Sequence, residues 1–466
     1  MNVETGTPPA RAAGSWGSRP PGMPGAVPPP SVPVAFLAAA AAGLVACGGA
    51  WIWARNAAAT DLTGDPVIAA VHFGVLATLS MGILGATHQF TPVITGMPLR
   101  SLRLARTTFA TWLAASWMLP LGIATRQLGV TAASGVIAGI AIALLAVNLT
   151  APLSARGKGT PVTALRFAVA GAVVTTLLGM AFTGDRQGNW FALSGHVDLA
   201  MGVVGMFAWL GTTYVGVAEK LWPMFMLAHV PGHRRSGRLA VWTIPIGATA
   251  LAGGLGWSVV VLAWAGAGML TLGLGAHLVS LSAHVRHRRR KADLHLVFVV
   301  TSAAWLIAGA GLALAGALVL SHRYSVGVAL VAAAFAAFAG WLLEALVGHA
   351  YKVVPFVVWS ALRARGVATG PSGKPLMFAD LYDHSWAAAT YGTTTAGLIA
   401  LCTGLGAGLP AATAVAGLLF IVTGIMAAAN LSIRPLRLVA AGRPTHEHPA
   451  PAGVAGTPDP GSQPDR

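Results

Sequence analysis

The sequence contains little charge. Charged residues make up 9% of its 466 residues, whereas hydrophobic residues make up 55%. Soluble domains carry roughly a quarter charged residues, so this chain cannot cover a water-exposed surface. The shortage of charge excludes an ordinary soluble protein and predicts a chain that is solvated by lipid.

Cysteine and acidic residues are also scarce. The only cysteines are Cys47 and Cys402, both in apolar surroundings, so neither a disulfide framework nor a thiolate metal site is expected. Lys and Arg outnumber Asp and Glu by 29 to 13, which gives a net charge of +16. We interpret this charge as a topology signal and an anionic-lipid contact. Nucleic-acid binding is not expected, because the densest basic run, residues 284–291, is a short loop between two apolar segments.

Apolar runs of about 20 residues are abundant, and each is long enough to cross a hydrocarbon core of roughly 30 Å. We predict an all-α polytopic membrane protein with twelve transmembrane helices. The predicted spans are 34–53, 66–88, 107–125, 132–151, 163–183, 191–217, 239–255, 258–281, 293–320, 325–348, 385–407 and 410–433. The Gly-rich stretch 253–256 divides the seventh span from the eighth.

The apolar runs define a membrane domain over residues 34–433. The flanking segments 1–33 and 434–466 are predicted to be disordered cytoplasmic tails, since the first is rich in Pro, Gly and Ser and the second has no apolar run. With the amino terminus inside, the predicted cytoplasmic segments hold 25 of the 29 Lys and Arg. The predicted external segments hold the other four, Arg55, Arg126, Arg186 and Arg323. This alternation predicts that both termini are cytoplasmic, in a bacterial cytoplasmic membrane.

A short pattern recurs three times, over residues 85–92, 216–223 and 348–355. In each copy a Gly stands seven residues before a Pro, and two polar residues lie at the fourth and third positions before that Pro. The prolines are 131 and 132 residues apart. The repeat predicts three pseudo-equivalent four-helix arcs, about 34–151, 163–281 and 293–433, in which helices two, six and ten are equivalent.

The polar residues of this pattern have two interpretations. They are either helix-terminal anchors, with Pro ending each helix, or a polar ring around the centre of the bundle with a Glu219–Lys352 ion pair. The residues concerned are His88, Glu219, Lys220, His349, Tyr351 and Lys352.

Two histidines lie at similar predicted depth in equivalent helices. His72 is about six residues into helix two and His196 about five into helix six, so each is expected roughly 8–9 Å below the external surface. They are either core histidines bonded to backbone carbonyls or a shared pair of ligands. Asp198 and Glu344 are expected to be buried and are candidates for a proton relay.

The remaining histidines give weaker evidence of a functional site. We expect that six of them are solvated or at the interface, namely His277, His284, His287, His295, His446 and His448.

Three segments together resemble subunit I of the haem–copper oxidases and the NnrS-like membrane proteins. They are residues 72–96, residues 196–224 and residues 348–356, and the resemblance extends over about residues 34–433. It implies haem held by histidines of helices two and ten, and copper held by histidines of helices six and seven. His72 matches the helix-two ligand position, and His196 matches the helix-six copper position.

The sequence departs from this pattern at the metal ligands. Residues 238–255 of helix seven and residues 325–338 of helix ten contain no histidine, and His349 lies roughly 36 Å along helix ten. Oxygen or nitric oxide reduction is therefore not expected. A single haem is the remaining candidate, bound by His72 with His196 or with His322 from the loop before helix ten.

Three functions follow from these observations. The first is a degenerate oxidase-like haem or metal protein, acting in electron transfer, sensing, or metal and nitric-oxide handling with a respiratory or electron-transfer partner. The second is an ion or metal transporter or channel, lined by residues such as Glu219, Lys352, His88 and Asp198. The third is a cofactor-free assembly partner of a respiratory complex.

Overall fold

The chain is all-α over the residues that a computed structural model describes, which are 28–155, 159–193, 196–230, 234–367, 369–370 and 374–441. Twelve long helices account for most of these residues. They are α1 Ser31–Thr60, α2 Asp65–Thr95, α3 Leu102–Ala124, α4 Leu128–Asn148, α5 Thr160–Arg186, α6 Val197–Met226, α7 Arg234–Gly256, α8 Val260–Arg286, α9 Leu294–Val319, α10 Tyr324–Ala364, α11 His384–Ala407 and α12 Pro410–Ala441. Short helices lie at Thr150–Ser154 and Phe378–Leu381.

Ten of these twelve helices are long and apolar enough to cross a membrane. These ten helices confirm the prediction of an integral membrane protein in a lipid bilayer. The other two, α3 and α11, have 23 and 24 residues but contain more hydroxyl and aromatic side chains.

Several helices begin at a polar side chain that accepts hydrogen bonds from the first backbone N–H groups. Ser101 accepts from the N–H groups of Arg103 and Leu104 before α3, and Asp293 accepts from the N–H of Leu296 before α9. Such caps satisfy donors that have no partner within the helix. They fix where a helix begins at the membrane surface.

Helices α2 and α6 each contain a π-helical segment of eight residues. The segments are Phe73–Ser80 and Val204–Gly211, and their first residues are 131 apart, as are Pro92 and Pro223. Two side-chain hydroxyls bond to the carbonyl five residues earlier, at 3.3 Å for Thr78 inside the first segment and at 2.8 Å for Thr212 directly after the second. The corresponding part of α10 is an ordinary α-helix.

The prediction that Pro ends the three repeated helices was wrong. Pro92 and Pro223 lie inside α2 and α6, which end three residues later. The next residues, Gly96 and Leu227, adopt the left-handed conformation and donate their N–H groups to the carbonyls of those prolines. The third helix continues nine residues beyond Pro355 and has 41 residues, a length of about 60 Å, so it projects beyond the hydrocarbon core.

Two other boundaries differ from expectation. The division between α7 and α8 is confirmed, but α7 continues through the Gly-rich stretch and the turn follows at residues 257–259. At the carboxyl end, α12 continues to Ala441, so residues 434–441 of the predicted tail are helical. Similarly, α1 begins at Ser31. Residues 1–27 and 442–466 of the two predicted tails lie outside the described residues.

The last helix packs against the first. Gly48 of α1 and Gly417 of α12 face each other so closely that a Cβ added at Gly48 would lie 2.3 Å from the carbonyl oxygen of Gly417. Small residues at this contact let the two backbones approach each other, as is common between membrane helices. The contact joins the amino-terminal and carboxyl-terminal parts of the helical domain.

Candidate functional site

His72 is the last residue of the first α-helical segment of α2, and the π segment follows it directly. Its Nδ1 atom is 2.7 Å from the carbonyl oxygen of Ile68. Because a carbonyl can only accept, Nδ1 carries the proton and the lone pair of the neutral ring is on Nε2. The backbone of α2 therefore fixes both the tautomer and the orientation of this imidazole.

Two apolar cavities meet at His72. The larger has a volume of about 330 Å³ and the smaller about 190 Å³. Both are lined by His72, Met201, Met206 and Phe335, which belong to helices α2, α6 and α10. The larger volume is within the range of about 300–1,000 Å³ that is usual for ligand pockets.

The π segments of α2 and α6 line these cavities. Gly74 and Val75 belong to the first segment, and Gly205 and Met206 to the second. π-Helical turns are rare and occur frequently at functional sites. Both π segments thus border the cavities at His72.

One rim of the cavities carries a charged cluster. Arg186, which lines the smaller cavity, donates to the carbonyl of Thr63 at 2.6 Å and to Asp65 at 3.0 Å. Asp65 also pairs with Arg126 at 2.7 Å. Two cations thus share one carboxylate next to the cavities. Hydrogen bonds from Thr63 and, after them, the charge of Arg186 lower the pKa of Asp61, so this rim holds two arginines and two carboxylates.

The structure separates His196 from His72, and the prediction of equal depth was wrong. His196 is exposed and is the residue before α6, which begins at Val197. His72 is the eighth residue of α2. At the 131-residue offset of the π segments, the counterpart of His72 is Val203. His196 is absent from the lining of both cavities.

Two further candidates at this end of the protein are exposed. Asp198 was expected to be buried, but it is exposed, and its carboxylate accepts from the N–H of Leu199 at 2.8 Å. It does line the larger cavity together with His72. His322 is exposed in the turn between α9 and α10 and lines neither cavity.

The repeated polar residues do not form one central ring. His88, Glu219 and Tyr351 occupy matching positions and are all buried, but each contacts helices other than α2, α6 and α10. His88 stacks on Phe36 of α1, with ring centroids 5.3 Å apart. Glu219 accepts a hydrogen bond of 2.7 Å from Ser280 of α8.

Tyr351 likewise contacts helices other than α2, α6 and α10. Its hydroxyl is 3.0 Å from the hydroxyl of Thr390 in α11 and 3.4 Å from the amide nitrogen of Asn430 in α12. Each member of the repeat therefore contacts helices that follow or precede it within its own third of the chain. The interpretation as helix-terminal anchors also fails for these three side chains, because they are buried.

The expected Glu219–Lys352 ion pair is not formed. Lys352 pairs with Asp293, the residue that caps α9, and its ammonium group lies 5.9 Å from the centre of the Phe378 ring. Burial raises the pKa of the nearby Tyr382 hydroxyl, and the charge of Asp293 raises it further. Lys220, at the position equivalent to Lys352, is exposed.

Glu344 is fully buried in α10, as expected. One carboxylate oxygen accepts a hydrogen bond of 2.6 Å from Thr395. The indole of Trp305 lies next to the same carboxylate. Glu344 does not line the cavities that contain Asp198 and His72, so the structure does not bring the two proposed relay residues together.

A cluster of buried histidines was missed by the sequence analysis. His277, His284 and His295 are buried rather than solvated or interfacial. The ring of His295 lies 4.8 Å from the ring of His349, and that of His277 lies 4.9 Å from Trp222. The seven-residue spacing of His277 and His284 places them on one face of α8, and this was a usable signal of a shared environment.

Several polar atoms of this cluster have no hydrogen-bond partner within the described residues. They are Nδ1 of His277, Nε2 of His295 and Nε2 of His349, whereas the hydroxyl of Tyr214 lies next to Ser302. His349 and Tyr214 also line a central cavity of about 60 Å³ between α2, α6 and α10. In the described part of the chain, no group of three His, Cys, Asp or Glu side chains is arranged to hold a metal ion.

The comparisons with known proteins do not assign this site. No protein-family model matches the chain, and no curated protein matches it.

Proposed function

We propose that the protein is a haem-binding integral membrane protein with an oxidase-like arrangement of helices, in which His72 is a haem ligand. The observation that carries the proposal is the Nε2 lone pair of His72 beside two apolar cavities between α2, α6 and α10. A neutral imidazole that is oriented by a carbonyl is a usual ligand for haem iron.

The surroundings of His72 fit a haem. The lining of the two cavities is largely apolar and includes Phe182, Phe335 and Met206, which suit the faces and edges of a macrocycle. Arg186 at the rim supplies a cation for carboxylate substituents. A haem bound here would supply one-electron redox chemistry or a site for a small gas, whereas the chain supplies the ligand, the apolar walls and the charged rim.

The same residues do not fit a haem–copper centre. The described part of α7 has no histidine, and His196, the candidate copper ligand of α6, is exposed outside both cavities. The proposal is therefore electron transfer or gas sensing with a single haem. Oxygen and nitric oxide reduction are not part of it, because among the described residues no second set of metal ligands accompanies His72.

The architecture that goes with this function has twelve membrane-spanning helices in three arcs and both termini in the cytoplasm. The shared 131-residue offset of the π segments and of Pro92 and Pro223 supports the equivalence of α2 and α6. The distribution of Lys and Arg supports the orientation. In this orientation the His72 cavities lie in the external half of the membrane.

An absorption spectrum of the purified full-length protein tests the proposal. We expect a Soret band that is lost in His72→Ala and retained in His196→Ala. The second variant is a matched control, since it removes a histidine that lies outside the cavities. A protein that stays colourless after expression with added haem precursor would refute haem binding, and a band unchanged in His72→Ala would refute the ligand.

A second candidate function, ion translocation, is favoured by the buried polar cluster of His277, His295, His349 and Tyr214. Buried polar groups without partners are costly, and in membrane proteins ionisable groups often mark pathways. This candidate predicts a proton or cation flux in liposomes that is lost in Tyr214→Phe. No flux above that of empty liposomes would exclude it.

A further inference from the structure

The walls of the larger cavity at His72 contain four other side chains of ligand type. They are Cys47 on α1, and Asp198, Met201 and Met206 on α6. If haem binds at His72, as proposed above, the nature of a second ligand decides between electron transfer and gas binding. The structure distinguishes among the four by their contacts.

Three of the four are engaged elsewhere. The Cys47 thiol lies 3.9 Å from the carbonyl of Ala70, on the same wall as His72. Asp198 is exposed at the external end of α6. The sulfur of Met201 lies against α5, 3.5 Å from the position that a Cβ would have at Gly179.

Met206 remains, and its position is favourable. Its side chain is 5% exposed, and it lines both cavities. At the 131-residue offset its counterpart on α2 is Val75, which also lines both cavities. The two residues thus occupy equivalent positions on α2 and α6, and both border the two cavities.

Met206 lies about one turn deeper than His72. It is three residues after Val203, the counterpart of His72. Side chains on both helices lean toward the amino terminus, so this difference in depth remains. The unbranched thioether side chain of Met206, with its three rotatable bonds, is flexible enough to reach across it toward the imidazole.

We propose that Met206 is the second axial ligand of the haem held by His72. Histidine–methionine ligation raises the reduction potential of haem relative to histidine ligation alone. It also fills both axial positions, which favours electron transfer and blocks small gases. The inference rests on the proposed haem function and makes it more specific.

The test compares spectra and carbon monoxide binding of the haem-loaded full-length protein. We expect a low-spin wild-type spectrum, with the near-infrared charge-transfer band of methionine ligation in the oxidised form and no carbon monoxide binding in the reduced form. Met206→Leu should lose the low-spin spectrum, lower the reduction potential and gain carbon monoxide binding. Leu is close in volume to Met, so the fold should tolerate it.

Met81→Leu is the matched control and should behave like the wild type, because Met81 is a buried methionine of α2 that lines neither cavity. Absence of haem in the wild type would refute the proposed function itself. Haem that is present but binds carbon monoxide in the wild type, or that stays low-spin in Met206→Leu, would overturn the assignment of Met206 and leave His72 as the ligand. If Met206→Leu does not fold, the charge-transfer band of the wild type decides alone.

Discussion

The contact between α1 and α12 gives a sharp test of the packing, with a control one residue away. Gly48→Ala places a methyl group 2.3 Å from the carbonyl oxygen of Gly417, whereas ordinary contacts begin at 3.4 Å. The two helices would have to separate by about 1 Å, since the obstacle is backbone that cannot rotate away. Gly49→Ala meets nothing within 4 Å.

The two substitutions have opposite expected signs. Both gain up to about 1 kcal/mol of helix propensity. Overpacking at Gly48 costs about 1–3 kcal/mol or more, and because its clash is with backbone we expect a net loss of about 1–2 kcal/mol in the free energy of unfolding. Gly49→Ala should be neutral or slightly stabilising.

Thermal unfolding of the detergent-solubilised protein measures this difference. The midpoint of Gly48→Ala should fall below that of the wild type, and the midpoint of Gly49→Ala should not. Gly417→Ala should resemble Gly48→Ala, because it approaches the same contact from the other helix. Equal midpoints for Gly48→Ala and Gly49→Ala would refute the close packing of α1 on α12.

Two further predictions concern charged residues at the ends of helices. Lys352→Met breaks the ion pair with Asp293 and should lower the free energy of unfolding by about 1 kcal/mol. Lys220→Met, at an exposed position, should have no effect. Equal free energies of unfolding for the two variants would contradict the Lys352–Asp293 pair. Backbone N–H groups at the start of α11, followed by Arg434, hold the pKa of Asp383 below its usual value. At pH values above the pKa that Asp383 has in the unfolded chain, its carboxylate therefore stabilises the fold. This stabilisation is lost as the pH falls through the lower pKa that Asp383 has in the folded protein. Asp383→Ala should lower the unfolding midpoint at pH 7 with a difference that shrinks in acid, whereas Asp383→Asn should retain the cap.

The positions of the helices were predictable from the sequence because hydrocarbon thickness fixes the length of each apolar run. Their ends were less predictable. The predicted helix six began at Phe191, an apolar residue that precedes α6. This error moved His196 into the membrane and produced its apparent equivalence with His72.

The proline error has a related cause. Pro disrupts a helix in water, but a membrane helix can continue through it when the freed backbone groups find other partners. The continuation of α10 from Tyr324 to Ala364 through Pro355 is an example. Hydropathy alone does not contain this information.

The partners of the polar residues could not be predicted because they are distant in the sequence. Asp293 is 59 residues from Lys352, and Thr395 is 51 residues from Glu344. The burial of His277 depends on the aromatic rings of Tyr214, Trp222 and Trp341, which come from two other helices. The repeat did predict which residues occupy equivalent positions, but not which way they face.

The central claim is that His72 binds haem in the cavities between α2, α6 and α10. Titration of haem-free full-length protein with haem, followed at the Soret band, tests it most directly. The account predicts saturation at one haem per chain for the wild type and for His196→Ala, and no saturable binding for His72→Ala. Equal binding by His72→Ala, or no saturable binding by the wild type, would contradict it.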